Sequence, residues 1–160
     1  MSEKSNYRQT LGKFATGVTI ITTCADDNYF GFTANSFTSV SLDPPLVLFC
    51  IKTDANFMNA LLKSNVFGVN ILSRQQEHLS NKFANPNLAS DERFADVTIA
   101  TSPSMCPRLK ESLAFLECEV VKISEEGDHN IIIGRVVSFD QYDNKEPLLY
   151  YSGAYRNLQP

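Results

Sequence analysis

The chain has 160 residues, of which 43% are apolar, and its 18 acidic and 14 basic side chains give a formal net charge of -4. This length and apolar content predict one domain over residues 1–160 with a sizeable core. An acidic balance without a run of Lys or Arg argues against nucleic acid or an anionic membrane as a partner. Residues 1–6 lack the apolar stretch of a signal peptide, and no apolar run is long enough to span a membrane. We therefore expect a soluble, cytoplasmic protein.

The first predicted element is a short amphipathic helix. Tyr7, Leu11 and Phe14 recur at helical spacing behind the capping candidates at positions 5–6, and Gly17 is the expected helix end. Two β-branched and aromatic runs follow, at 18–24 and 29–33, and the Asp- and Asn-rich turn between them predicts a hairpin.

The middle of the chain predicts alternating strands and helices. Residues 46–51 form an apolar strand expected to be buried on both sides, and Asp54 is the expected cap of a helix that buries Phe57, Ala60 and Leu61. A strand at 66–72 should return the chain.

The second half predicts one helix, one loop and two long strands. Residues 75–83 indicate a helix, and the Asn-, Asp- and Ala-rich stretch 84–94 predicts a long surface loop of the kind that is often functional. Strands at 113–123 and 130–142 should meet at the turn 125–128. About seven strands with few helices favour a mainly β fold, namely a barrel.

The cysteines indicate neither a set of disulfide bonds nor a metal site. The four cysteines contain no CxxC pair and no neighbouring His at ligand spacing, which favours buried, unreactive thiols over disulfides or zinc. They are Cys24, Cys50, Cys106 and Cys118.

The most informative segment is the polar run 33–41, which lies between the predicted hairpin and the apolar strand. Its hydroxyls and amide fall on both faces, whereas a purely structural strand would alternate polar with apolar residues. Uncharged donors and acceptors of this kind suit a flat heteroaromatic ring or a phosphate. The chain has no G-x-G-x-x-G spacing, which argues against a Rossmann domain, and no Ser/His/Asp signature of a hydrolase.

Four ordered motifs resemble those of the flavin reductase-like, FMN-binding split-barrel family. They read LGKFATGVT at 11–19, GFTANSFTSVSLDPPLV at 31–47, GDH at 127–129 and PLLYYSGAY at 147–155. The resemblance covers nearly the whole chain and implies a Greek-key split β-barrel of the FMN-binding type. It further implies an NAD(P)H:flavin oxidoreductase that reduces FMN or FAD with NADH or NADPH and supplies a separate monooxygenase. Hydride would pass directly between stacked rings, so the protein needs no covalent catalyst.

The resemblance also implies roles for individual residues. The flavin ring should lie against the start of the 33–41 segment, with the ribityl chain and phosphate beyond it. Helix starts and cations suit the phosphate, because N–H groups and positive charge favour anions. The expected flavin-binding residues are Thr33, Ala34, Asn35, Ser36, Ser39, Ser41, Cys50, Ile51, Lys52, Asn56, Lys82, Phe83 and Arg93.

Two further residues are expected on the nicotinamide side. The resemblance implies a catalytic or substrate role for His129 after the 127–128 turn, and Tyr155 belongs to the Gly-x-Tyr ending. The chain departs from the family pattern in two places: Phe32 stands where many relatives carry Met, and the sequence of the 84–96 loop differs. Because this loop is expected to border the pocket, the choice of substrate stays open.

Other functions on the same fold stay open at this level. One is reduction of a corrinoid or a ferric chelate, and another is a non-enzymatic flavin or haem carrier. The family implies a homodimer, for which the apolar strand 46–51 offers an interface.

Overall fold

The computed structural model describes residues 2–143 and 145–158. It contains four α-helices, a 3-10 turn at Arg74–Gln76 and twelve strands in those ranges. The helices are α1 Glu3–Leu11, α2 Asn56–Ser64, α3 Glu77–Ala84 and α4 Ser90–Phe94. The strands are β1 Thr16–Gly17, β2 Thr19–Ala25, β3 Asn28–Ala34, β4 Thr38–Leu42, β5 Pro45–Lys52, β6 Val66–Ile71, β7 Ile99–Thr101, β8 Pro107–Leu109, β9 Ala114–Glu126, β10 His129–Gln141, β11 Leu149–Tyr151 and β12 Ala154–Arg156.

A seven-stranded antiparallel sheet dominates the fold. Its order is β3-β2-β6-β9-β10-β5-β4, so that β5 pairs with the distant β10 rather than with its chain neighbour β6. Within the described residues no backbone pairing joins β3 to β4, and the sheet is therefore open between these two strands. This mainly β architecture confirms the predicted split-barrel class.

The core lies inside the curled sheet. Phe49 and Phe67 are fully buried and meet edge to face, with ring centroids 5.0 Å apart. Helix α2 closes one end with Phe57 and Leu61. Burial of each such side chain contributes about 2 to 3 kcal/mol, so this cluster sets the shape of the barrel.

A second cluster joins the smaller elements to the sheet. Phe83 of α3 and Phe94 of α4 meet edge to face at 5.0 Å, and both rings stand over Gly31 of β3. A Cβ at Gly31 would lie 2.8 Å from the Phe83 ring. Absence of a side chain at position 31 is what allows α3 and α4 to pack on β3.

The N-terminal helix differs from the prediction. It begins after Ser2, whose hydroxyl accepts the N–H of Ser5 at 3.3 Å, and it is capped at its C-terminal end by Gly12. The expected stop, Gly17, lies instead in β1. Helix α1 buries none of its residues, so the predicted apolar face lies on the surface.

Three further predictions need correction. Residue Asp54 does not cap α2, whose N-cap is Ala55 with no side-chain hydrogen bond. Strand β5 buries alternate residues rather than both faces. The predicted loop 84–94 contains α4, whose Glu92 carboxylate accepts the N–H of Ala89 at 2.7 Å and so starts a helix among loop-forming residues.

Several predicted elements are confirmed in outline, whereas of the four cysteines predicted to be buried, Cys24 and Cys50 are only half-buried. The hairpin β2–β3, the strands β6, β9 and β10 and the buried face of α2 lie close to their predicted positions. Gly127 occupies the β9–β10 turn with a φ of +65°, a conformation that favours glycine. No helix in the described part of the chain is long and apolar enough to cross a lipid bilayer.

Candidate active site

The polar segment lies where the sheet is open, and three adjoining cavities surround it. Thr33, at the end of β3, lines all three. The ring cavity, of about 300 Å³, is lined by Phe32, Thr33, Ala34, Asn35, Ser36, Cys50, Lys52 and His129. The hairpin cavity, of about 330 Å³, is lined by Val18, Thr33, Asn35, Ser80, Asn81, Ala84, Tyr150, Gly153 and Tyr155. The helix cavity, of about 530 Å³, lies between β3, the start of α2 and the 83–93 segment.

Asn35 connects the ring cavity to the hairpin cavity. It follows β3 directly, is exposed, and makes no hydrogen bond to any described residue. Its main-chain N–H, carbonyl and side-chain amide are therefore all free to bind a ligand. A planar ring with carbonyl and N–H groups at its edge matches such a donor and acceptor set.

Ser36 holds the adjoining backbone in place. Its hydroxyl donates to the carbonyl of Cys50 and accepts the N–H of Cys50, both at 3.0 Å. The Ser36 side chain thus makes two hydrogen bonds to β5, in the β3–β4 connection, where the backbone has no described strand partner. The hydroxyl fixes the rim of the ring cavity, and its one donor is used within the protein.

A chain of hydrogen bonds links Thr33 to the C-terminal hairpin. The Thr33 hydroxyl donates to the carbonyl of Ser80 at 2.7 Å, and the Ser80 hydroxyl lies 2.7 Å from the hydroxyl of Tyr155. The Tyr155 hydroxyl also donates to the side-chain oxygen of Asn81 at 3.3 Å. The Tyr155 ring packs edge to face on Tyr150 at 5.4 Å, so its position in the hairpin cavity is fixed from two sides.

Lys52 and His129 form the polar wall of the ring cavity. They are directly opposite each other in the β5–β10 ladder, on the face turned away from the core. The His129 Nδ1 lies 2.7 Å from a carboxylate oxygen of Asp128. The hydrogen bond from His129 and its charge lower the pKa of the Asp128 carboxyl, and Lys52 adds to this shift. The carboxylate fixes the His129 ring with Nε2 as its other polar atom.

Arg93 and Lys82, the two cations predicted to bind the flavin phosphate together with Lys52, donate hydrogen bonds to backbone carbonyls instead. The Arg93 guanidinium donates to the carbonyls of Gly31 and Asn85, each at 2.9 Å, and its partial burial lowers its pKa. The Lys82 ammonium donates to the carbonyl of Ala95. These contacts tie α3 and α4 to β3 and shape the helix cavity.

The other predicted residues separate into two groups. Asn56 and Ile51 line the helix cavity together with Phe83 and Arg93, while Ala34 and Cys50 line the ring cavity. Ser39 and Ser41 lie on β4 and line none of the three cavities. The structure thus brings the ring and nicotinamide candidates together and leaves these two serines outside.

Sequence reasoning missed six lining residues of the hairpin cavity, of which Ser80, Asn81 and Tyr150 carry polar side chains. Ser80 is fully buried on the predicted helix α3. Its position three residues before Phe83 is a signal that could have placed it on the buried face of that helix. Tyr150 lies in the quoted PLLYYSGAY motif.

A flavin fits these residues. The ring cavity offers uncommitted uncharged groups at Asn35 and a free ammonium at Lys52, which makes no hydrogen bond or ion pair with a described residue. Positive charge and neutral donors beside a ring carbonyl stabilise negative charge on the ring system. The fold and the donor set define an oxidoreductase of the flavin reductase class.

The comparisons with known proteins agree with this class. The family model described as flavin reductase like domain matches residues 11–159, and the chain belongs to this family. It is 38% identical to the reductase subunit of a flavin-dependent monooxygenase from Rhodococcus jostii, over 96% of this chain and 77% of that one. It is 45% identical to the reductase component of a trigonelline monooxygenase from Acinetobacter baylyi, over 92% of this chain but only 47% of that one.

A solved structure gives the same result. The NADH:FAD oxidoreductase from Streptomyces globisporus, in complex with NAD and FAD fragments, superimposes with a TM-score of 0.93. The two chains are 34% identical, and the match covers 99% of this chain and 94% of that one.

Proposed function

We propose that the protein catalyses the reduction of FMN or FAD by NADH and supplies the reduced flavin to a separate monooxygenase. The observation that carries this proposal is the position of Asn35, whose uncommitted groups lie where the ring and hairpin cavities meet. Two planar groups bound in adjoining cavities would be in contact there. A bound flavin supplies an acceptor for a hydride from the dihydronicotinamide.

The residues around Asn35 have distinct tasks in this proposal. Thr33, Ala34 and Ser36 shape the ring cavity, and Lys52 supplies positive charge at its rim. His129, held by Asp128, and Tyr155, held by Ser80, border the cavities where the nicotinamide would lie. Alignment of two reactants at contact distance can account for a large part of the rate enhancement.

The phosphate side of the flavin belongs to the helix cavity. Asn56 begins α2, and the first N–H groups of that helix have no partner within the helix. Lys52 lines both this cavity and the ring cavity. Arg93, Lys82 and Phe83 act here by holding the cavity wall, whereas Ser39 and Ser41 on β4 stay outside this cavity.

Anaerobic stopped-flow spectroscopy tests the activity. Purified protein is mixed with FMN or FAD and then with NADH, and the flavin absorbance near 450 nm is followed (about that wavelength, from flavin chemistry). We expect rapid bleaching and repeated turnover with excess free flavin. Bound flavin that neither NADH nor NADPH bleaches would contradict the proposal and favour a carrier.

We further propose that the protein is a homodimer that pairs through the outer face of β5 and β10. Leu46, Leu48 and Cys50 alternate with the buried residues of β5 and lie opposite Arg135, Ile133 and Ile131 in the ladder. An outer sheet face with so many apolar residues favours association. Because Lys52 and His129 continue the same face, the ring cavity would lie beside the dimer interface.

A further inference from the structure

A further cleft adjoins the three cavities already discussed. This N-terminal cleft, of about 640 Å³, runs between helix α1 and the β11–β12 hairpin. It is lined by Arg8, Leu11, Lys13 and Phe14 on one side and by Tyr150, Ser152 and Gly153 on the other. Among its lining residues, Asn35 alone has a ligand-binding role predicted from the sequence.

The cleft opens directly into the proposed active site. Asn35, Tyr150 and Gly153 line both the N-terminal cleft and the hairpin cavity. A molecule whose ring occupies the hairpin cavity can therefore extend into this cleft without leaving the protein surface.

The charge of the cleft is positive in a chain whose net charge is negative. Arg8 and Lys13 line it, and none of its described lining residues is acidic. The Arg8 guanidinium has no partner among the described side chains, whereas Arg74, Arg108 and Arg135 each pair with a carboxylate. An unpaired guanidinium is suited to bind phosphate oxygens.

The second cation is held at the mouth of the cleft. The Lys13 ammonium donates to the Ser152 hydroxyl at 3.3 Å and stands over the Tyr151 ring. The Ser152 N–H donates to the carbonyl of Gly12 at 2.8 Å, so α1 and the hairpin are tied together at this point. Phe14, whose side chain is 79% exposed, adds an aromatic surface next to the cations.

We propose that Arg8 and Lys13 bind the phosphate groups of the nicotinamide dinucleotide, with the adenine ring beside Phe14. This inference rests on the proposed NADH-dependent activity and assigns its reductant a second contact region. Two cations and an exposed aromatic ring match an anionic nucleotide rather than a neutral or cationic ligand. Arg8 and Lys13 are thus specificity residues for the dinucleotide, and they take no part in hydride transfer.

The test compares a charged with an uncharged hydride donor. Steady-state rates are measured with NADH and with 1-benzyl-1,4-dihydronicotinamide, which carries no phosphate, for wild type and for the Arg8→Gln/Lys13→Gln double variant. We expect the double variant to raise the KM for NADH by about 10- to 100-fold, since each lost charge-assisted contact costs about tenfold. Its kcat, its FMN affinity and its rates with the benzyl compound should stay unchanged.

A matched control removes the same charge elsewhere. Lys4→Gln/Lys110→Gln takes two exposed cations from outside the cleft and should leave the KM for NADH within about twofold. Arg8→Lys/Lys13→Arg keeps both charges and should restore most of the affinity. In wild type, but not in the Gln double variant, the KM for NADH should rise steeply with salt.

The outcomes separate this inference from the proposed function. An active wild type whose KM for NADH is unchanged in the Gln double variant would overturn the role of the cleft and leave the flavin reductase activity intact. Equal losses with NADH and the benzyl compound would overturn it too, because they would indicate a disturbed ring site. A wild type that oxidises neither donor in the presence of flavin would remove the proposed function itself.

Discussion

At the scale of single residues, the site depends on which polar groups are committed and which are free. Ser36, Arg93 and Lys82 have predicted roles toward a ligand, yet each makes its hydrogen bonds to the protein backbone. The side chains of Asn35 and Lys52, by contrast, make no hydrogen bond to any residue that the structure describes. Residue type and position predicted the right neighbourhood, but they could not reveal how each group is used, because that depends on partners far away in the chain.

His129 provides the first residue-scale prediction. We expect His129→Ala to lower the rate of flavin reduction by NADH about 100-fold, because it removes the imidazole that we propose borders the nicotinamide. The loss of FMN affinity should be smaller, since His129 is one of eight residues that line the ring cavity. Stopped-flow reduction and a fluorescence titration with FMN measure the two quantities. The control is His78→Ala, which removes an exposed histidine that contacts only the carbonyl of Gln75. A His129→Ala variant as fast as wild type would refute the role.

The buried thiols give a prediction of pH dependence. Burial raises the pKa of Cys106 to about 11 and that of Cys118 to about 12, from an ordinary value of 9.0. Above pH 9 the unfolded chain loses these protons and the folded chain keeps them, so stability is retained below that pH and falls as the pH rises. At pH 10 each thiol should lower the free energy of unfolding by about 1 kcal/mol relative to pH 8.

Urea unfolding at the two pH values measures this effect. Cys118→Ala should be less stable than wild type at both, yet its loss of unfolding free energy between pH 8 and pH 10 should be smaller by about 1 kcal/mol. Val69→Ala, which also truncates a fully buried side chain, serves as the control and should keep the full loss. Equal losses in all three proteins would contradict the assigned cause.

At the scale of elements, long-range contacts join pieces that sequence patterns describe separately. The pattern predicted the hairpin β2–β3, the helix α2 and the strands β9 and β10 because each has a strong period or a clear turn. It missed β11 and β12, which have three residues each and are too short for any period. It also missed the link from Thr33 through Ser80 to Tyr155, since Ser80 and Tyr155 are 75 positions apart.

That link predicts a coupled effect of Ser80→Ala. The variant should lose about 1 kcal/mol of unfolding free energy with the hydrogen bond, and it should raise the KM for NADH several-fold by freeing Tyr155. Tyr155→Phe breaks the same bond from the other end and should reproduce both effects. Urea unfolding and steady-state kinetics are the measurements. A wild-type KM for NADH in both variants would show that the Ser80–Tyr155 hydrogen bond does not contribute to NADH binding.

The β10 strand allows a prediction about packing. A Cβ at Gly134 would lie 2.3 Å from the ring of Phe67, which Phe49 holds from the other side. We expect Gly134→Ala to destabilise the fold by about 2 to 3 kcal/mol, because the crowded ring has nowhere to move. Gly17→Ala, where a Cβ meets nothing within 4 Å, should change stability by less than about 0.5 kcal/mol. Thermal unfolding compares the two, and similar melting temperatures would contradict the packing argument.

At the scale of the whole molecule, the outer face of β5 and β10 carries the proposed homodimer. Leu48→Asp places a charge in the centre of that face and should convert a dimer to a monomer in sedimentation velocity. The control is Leu62→Asp on α2, which replaces an exposed leucine elsewhere and should remain dimeric. A wild-type monomer at micromolar concentration would rule out the proposal.

The bond pair at Ser36 has a consequence for motion. Between the end of β3 and the start of β4 the chain makes no strand pairing within the described residues. There the Ser36 hydroxyl binds it to β5 through two hydrogen bonds to the backbone of Cys50. The segment that carries Asn35 is therefore anchored at two points, by Ser36 on β5 and by Phe37, which packs against the core. Because these contacts hold the segment, the polar groups of Asn35 keep one orientation. A ligand that binds them therefore loses little binding free energy to ordering the loop.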